Sequence, residues 1–204
     1  MKENAKIFRI ILVNKKNFLK IQNLTDEELV EKSLIDSDFF AEIVYRYEKK
    51  LFFYLKRLGV CEKDAEELLQ EIFLKVYKSL NGFDLKLKFS SWIYRIAHNF
   101  AVSSFRKNKE TVVLDEGIFL EISDKEDLFD EVEKTFEKEL VVRVLTKMSL
   151  KYREVLLLRF FEDKDYEEIS DVLKKPIGTV SVLIKRAKEK FKYLYKEEKT
   201  NFNI

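Results

Sequence analysis

The chain has 204 residues, with 39 Lys and Arg against 37 Asp and Glu, for a formal net charge of +2. Four glycines and one proline are few for the length, so an all-α protein of one or two small domains is expected. One Cys and one His cannot supply an intramolecular disulfide, a thiolate–imidazole zinc site or an evident Cys/His catalytic pair, and no apolar run is long enough to span a membrane.

Residues 1–22 carry no assignable role. The apolar run at residues 7–13 is interrupted by Arg9 and no small-residue cleavage site follows, so a signal peptide is not expected. Thr25 with Glu28 forms a capping-box pattern, predicting a helix through about residue 34. A second helix is predicted over residues 37–58, with Phe40, Ile43, Val44, Tyr47, Leu51 and Tyr54 as its core stripe and Gly59 as its stop. The third, over residues 62–80, buries Ala65, Leu68, Leu69, Ile72, Val76 and Leu80, and Asn81-Gly82 is expected to cap its end. Cys61 reads as a small buried hydrophobe beside that helix start. A fourth helix, over residues 90–107, mixes aromatics with cations and ends in Arg106-Lys107.

Charge then changes sign. Residues 1–108 hold 20 basic and 15 acidic side chains, residues 109–138 hold 4 and 11, and residues 140–204 hold 15 and 10. Two basic blocks thus flank an acidic segment with few regular apolar repeats, which reads as a partly disordered linker that would not adhere to phosphate. The expected organisation is an N-terminal extension (1–22), a helical domain (23–108), the linker (109–138) and a second helical domain (139–204).

The second domain contains a helix-turn-helix pattern. Asp165 and Glu168 form another capping box, and Ile169, Val172 and Leu173 share one helical face. Lys174-Lys175-Pro176 breaks that helix. A longer basic helix follows, with Val180, Leu183, Ile184, Ala187, Phe191 and Leu194 inward and Thr179, Ser181, Val182, Lys185, Arg186 and Lys188 outward. Such a pair suits the major groove, where the second helix enters and the first crosses the backbone.

Four stretches, in order and spacing, resemble one family. Asp64-Ala-Glu-Glu-Leu-Leu-Gln-Glu-Ile-Phe73 is similar to A-E-D-L-V-Q-E-V-F, and Trp92-Ile-Tyr-Arg-Ile-Ala-His-Asn99 to W-L-Y-R-I-A-R-N. Arg153-Glu-Val-Leu-Leu-Leu-Arg159 resembles R-E-V-L-L-L-R, while Gly178-Thr-Val180 and Arg186-Ala187 resemble parts of G-T-V-K-S-R-L-x-R-A. These are motifs of the extracytoplasmic-function sigma factors of bacterial RNA polymerase, and the similarity covers about residues 24–195.

The resemblance implies a dissociable, non-catalytic subunit that gives core RNA polymerase its promoter choice. It implies that Asp64, Glu67, Gln70 and Glu71, mainly opposite the apolar stripe of their helix, dock on a coiled coil of the largest polymerase subunit. For the minus-ten element it points to the loop from Asn81 to Lys88 and to Trp92, Arg95, His98 and Asn99, with Arg106 and Lys107 as further cations. Trapping melted non-template bases calls for aromatic stacking and for cations on phosphate. Trp92, which shares helical spacing with Ile93 and Ile96, is either such a stacking surface or part of the core. For the minus-thirty-five element the implied contacts on duplex promoter DNA are Thr179, Ser181, Val182, Lys185, Arg186 and Lys188. His98 stands where the family usually has Arg, Ser103 where it commonly has Asp, and Ser181, Val182 and Leu183 where it has a Lys/Arg-Ser-Arg triplet. An anti-sigma factor is a further implied partner. No cofactor, metal, membrane or small-molecule substrate is expected, and the implied location is the cytoplasm, at the nucleoid when in holoenzyme.

Two other classes compete. A helix-turn-helix regulator that never joins polymerase would share the second domain without the first-domain motifs. An α-helical enzyme would need a Gly-rich phosphate loop, a metal cluster or a nucleophile–base pair, and none is apparent in the sequence.

Overall fold

The computed structural model describes residues 23–107 and 137–201. The acidic linker lies outside the described residues except for its last two positions, as do residues 1–22. All regular structure among the described residues is helical. The first group comprises α1 (Asp26–Ile35), α2 (Phe40–Leu58), α3 (Glu62–Ser79) and α4 (Phe89–Lys107). The second comprises α5 (Glu137–Lys147), α6 (Leu150–Leu156), α7 (Tyr166–Leu173) and α8 (Ile177–Asn201). None of these helices is long and apolar enough to cross a membrane.

Local chemistry sets most helix ends. Both capping boxes form. Thr25 Oγ1 accepts from the Glu28 amide at 3.2 Å while Glu28 accepts from the Thr25 amide at 2.7 Å. At α7 the matching bonds between Asp165 and Glu168 are 2.8 and 3.0 Å. Gly59 ends α2 with φ 107°, and the Val60 amide reaches back to the Leu55 carbonyl at 3.1 Å, closing a Schellman turn.

Two expectations need correction. Residues 37–39 form a separate 3₁₀ turn ahead of α2, because the Asp36 side chain accepts from the Asp38 amide and starts a tighter turn. The end of α3 tightens into a 3₁₀ turn over Leu80–Gly82 rather than using a left-handed glycine. The break after α7 falls within Lys174-Lys175-Pro176 as expected, at Lys174, whose φ is 52°; Ser170 helps hold it by donating to the Lys175 carbonyl at 2.6 Å. The sequence pattern does not delineate α5 and α6, and α6 runs on into a π-helical turn at Leu157–Phe161.

Packing follows the apolar stripes. Phe40 meets Tyr77 edge-on at 5.0 Å, and Phe83, Phe89 and Trp92 form a triangle with centroids 5.1 to 5.6 Å apart. Aromatic pairs in such tilted or edge-on geometry add about 1 kcal/mol each beyond their buried area. In the second group α8 lies across α5, α6 and α7. The two groups also pack on each other, α4 against α7 and α2 against α6 and the π turn, so the buried residues form one continuous core.

Candidate nucleic-acid interface

On α3 the residues Ala65, Leu69, Ile72, Phe73 and Val76 are buried, whereas Glu67, Gln70 and Glu71 are exposed and Asp64 is half-buried. Leu68, expected inside, is half-buried as well, and Cys61, also expected inside, is exposed ahead of the first turn, where no core residue covers it. Glu67 and Glu71 stand one turn apart, where like charges repel by about 0.3 kcal/mol in an isolated helix. A cationic partner would relieve that repulsion.

The outward side of α8 is equally open. Thr179, Ser181, Val182, Lys185, Arg186 and Lys188 are all exposed, and Val180, Leu183, Ile184, Ala187, Phe191 and Leu194 are buried on the reverse. Lys188 lies over the Phe160 ring at 5.4 Å, which steadies its stem without neutralising its charge. At Gly178 a Cβ would meet nothing within 4 Å, so the backbone there is approachable.

The third surface, formed by α4 and the loop before it, is divided. Asn81, Asn99 and Arg106 are exposed, while the side chain of Lys107 lies outside the described residues. Trp92 is a correction: at 9% exposure it is held between Phe83 and Phe89, so its ring faces are spent on core contacts. His98 is another. At 7% exposure it sits between the Tyr54 hydroxyl, 3.2 Å from Nδ1, and Glu154, 3.6 Å from Nε2. Burial, then the Lys175 charge, brings its pKa down to about 4, so it offers DNA neither charge nor surface in this arrangement.

Lys88 and Arg95 are accessible but paired. Lys88 Nζ lies 3.3 Å from Asp165 and 3.6 Å from Glu168, and its pKa is raised by the bond to Asp165. Arg95 Nη1 donates to Asp171 at 3.1 Å. Between them, Ser90 Oγ is 2.9 Å from Lys164 Nζ and donates to Glu168 at 3.3 Å. Deeper in, Glu162 accepts from Arg57 at 3.2 Å and from the Tyr94 hydroxyl. Sequence reasoning misses all these carboxylates as neighbours of α4 and the loop before it, since they lie 68 to 78 residues away along the chain. Within the loop from Asn81 to Lys88, which the resemblance pointed to as a whole, Leu85 and Leu87 are exposed leucines alternating with lysines. Their signal was available, because neither belongs to a helical stripe.

Comparison with known proteins agrees with this division into two helical groups. Sigma-70 region 2 matches residues 43–111, and Sigma-70, region 4 matches residues 138–191. The chain is 32% identical over 163 residues to the ECF RNA polymerase sigma factor SigW of Bacillus subtilis, covering 76% of this chain and 87% of that protein. It belongs to the ECF sigma factors. The ECF RNA polymerase sigma-E factor of Escherichia coli is 31% identical over 181 residues, covering 82% of this chain and 93% of its own length. Two solved structures share the fold at 21% identity. CnrH, in complex with the cytosolic domain of CnrY, gives a TM-score of 0.66 over 84% of this chain and 97% of that one. The sigma factor RpoE of Bartonella quintana, in complex with the anti-sigma factor NepR, gives 0.59 over 77% and 96%.

As a sigma factor the protein binds core RNA polymerase, recognises and helps melt promoter DNA, and directs initiation at a specific set of promoters. The region 2 match displaces the reading of a regulator that never joins polymerase.

Proposed function

We propose that this sigma factor divides its work among three surfaces. Asp64, Glu67, Gln70 and Glu71 on α3 dock core polymerase. Asn81, Lys88, Arg95, Asn99, Arg106 and Lys107 engage the melted non-template strand of the minus-ten element. Thr179, Ser181, Val182, Lys185, Arg186 and Lys188 read the minus-thirty-five duplex. On this reading residues 23–108 and 139–204 are the two working domains and residues 109–138 the tether between them. The protein is not itself catalytic: it contributes binding energy to a reaction whose chemistry belongs to polymerase. It works in the cytoplasm, at the nucleoid when in holoenzyme. The bound partners of the two solved neighbours support an anti-sigma factor as a further partner.

The observation that carries the docking assignment is the acidic, exposed side of α3 set against a reverse on which Ala65, Leu69, Ile72, Phe73 and Val76 are buried. Glu67→Lys with Glu71→Lys reverses its charge without touching Ile72 or Leu69. The double variant is expected to keep its helical circular dichroism, lose at least ten-fold in affinity for core polymerase and give little run-off transcript on a promoter library. Parent-like affinity in a folded double variant would remove α3 from the polymerase interface.

A further inference from the structure

The outward side of α8 does not stop at the residues assigned to the minus-thirty-five element. Ser181, Lys185, Lys188, Lys192, Lys196 and Lys199 follow one another at intervals of three or four residues, and all of them are exposed. Such spacing sets them on a single flank of the helix, running straight for about five turns or 27 Å. The acidic residues of α8 leave this stripe positive. Glu198 is buried on another side and ion-paired with Lys147, and Glu197 lies round the helix from the stripe. Glu189 borders it, about one turn from Lys185 and Lys192. Lysines one turn apart repel each other within a helix, so a polyanion laid along the flank would relieve them.

We propose that the C-terminal half of α8 is a second DNA-contacting surface, on which Lys192, Lys196 and Lys199 hold phosphates of the duplex flanking the minus-thirty-five element. The inference rests on the assignment of the outward side of α8 to duplex DNA, and the three lysines continue the flank of Ser181, Lys185 and Lys188. The chemistry of the two halves differs. The first half exposes the hydroxyls of Thr179 and Ser181, the methyls of Val182 and the guanidinium of Arg186, groups that bond to or touch base edges. Its continuation along the stripe offers ammonium groups alone, which attract phosphate as point charges and carry no sequence information. In groove-binding helices the N-terminal turns meet base edges, while the far end can meet the backbone. The first half therefore selects the site, and the second adds sequence-independent affinity and lengthens the footprint beyond the bases that are read.

The test uses the full chain and a duplex carrying only the minus-thirty-five region of a promoter selected by run-off transcription, with a random duplex of equal length beside it. Lys192→Gln with Lys196→Gln and Lys199→Gln removes three charges while keeping good helix formers at exposed positions. This triple variant should keep its circular dichroism and bind both duplexes at least roughly ten-fold more weakly at low salt. Its slope of log affinity on log salt should be shallower by about 2.7, three phosphate contacts. Arg at the same three positions should restore binding, since charge and reach persist. Trimming the duplex to the element itself should cost the parent affinity and the triple variant none. Lys32→Gln with Lys50→Gln and Lys151→Gln, at lysines exposed elsewhere, controls for net charge and should leave the slope near the parent value. The inference is overturned if the α8 triple variant keeps the parent slope and affinity, which would leave the stripe to solvent or to an acidic protein partner. A matching loss in the control triple overturns it too, as does a loss confined to the selected duplex, which would make these lysines readers of bases. Lys185→Gln with Arg186→Gln tests the underlying reading separately. Parent-like duplex binding there removes α8 from the DNA altogether; a loss there, with no effect of the three later lysines, removes only the second surface.

Discussion

The imidazole of His98 has a carboxylate 3.6 Å away, yet its pKa lies at about 4 because loss of solvent outweighs that neighbour, whose own charge is shared with Lys175 at 3.2 Å. This has a consequence for stability. Above pH 6.5 the ring is neutral in folded and unfolded chains alike. Between about 6.5 and 4 the unfolded chain binds a proton that the folded chain refuses, so stability falls as pH is lowered through that window, by about 3 kcal/mol at most. Glu154, raised by burial, acts in the opposite sense: its contribution is present at low pH and is lost as pH rises through its folded pKa. A substitution is needed to isolate the histidine. Urea unfolding of His98→Gln, compared with the parent at about pH 7 and pH 5, should show a smaller loss of stability on acidification. An unchanged loss would assign it to other groups.

Helix ends and helix faces carry the next level of organisation. Gly59 and Gly82 both follow helices, but only Gly59 has a positive φ. A Cβ at Gly59 would meet the left-handed penalty of about 1–2 kcal/mol, whereas at Gly82 it would enter open space. Gly59→Ala should therefore lower stability to urea by about 1 kcal/mol or more, and Gly82→Ala should leave it within about 0.5 kcal/mol. The recognition helix invites a second test. Ser181 is exposed and stands where the family usually has a cation, while Leu183, also in that triplet, is buried and has no room for one. Ser181→Arg should tighten duplex binding and steepen the dependence of log affinity on log salt by about 0.9, one phosphate contact. A parent-like slope and affinity would mean that position 181 does not face DNA.

Across the entire chain, the two helical groups share one core and a layer of polar ties. Arg153 is the deepest of these. Its guanidinium donates to the carbonyls of Leu145, Thr146 and Met148 in its own domain and to that of Leu58 at the end of α2, 2.9 Å away. Burial lowers its pKa to about 10, leaving it charged at neutral pH. A shared core predicts shared unfolding. Trp92, the only tryptophan, lies in the first domain and reports on it by fluorescence. Leu157→Ala, at a fully buried position of the second domain, should cost about 2–5 kcal/mol and lower the Trp92-reported midpoint along with the helical signal. A Trp92 transition that stays put would show that the domains unfold independently.

Helix ends were readable from a few adjacent residues because they depend on bonds only three to five positions apart: Thr25 with Glu28, Asp165 with Glu168, Gly59 with the turn before it. The inward and outward sides of α8 were readable too, since a 3.6-residue period sorts them without knowledge of what they pack against. The tightened end of α3 was not, because Asn-Gly is compatible with either a left-handed cap or a 3₁₀ turn. Nor were the surroundings of α4. Trp92 could stack on a base or on Phe83 and Phe89, and only assembly of the bundle chooses. Lys88, Arg95 and His98 meet Asp165, Asp171 and Glu154 across the domain interface, where proximity arises from packing two separately patterned helical groups. A local pattern states that a side chain is polar and on which face it lies; the identity of the group opposite is a property of the assembled interface, because charge pairing depends on distance in space and leaves no period in the chain.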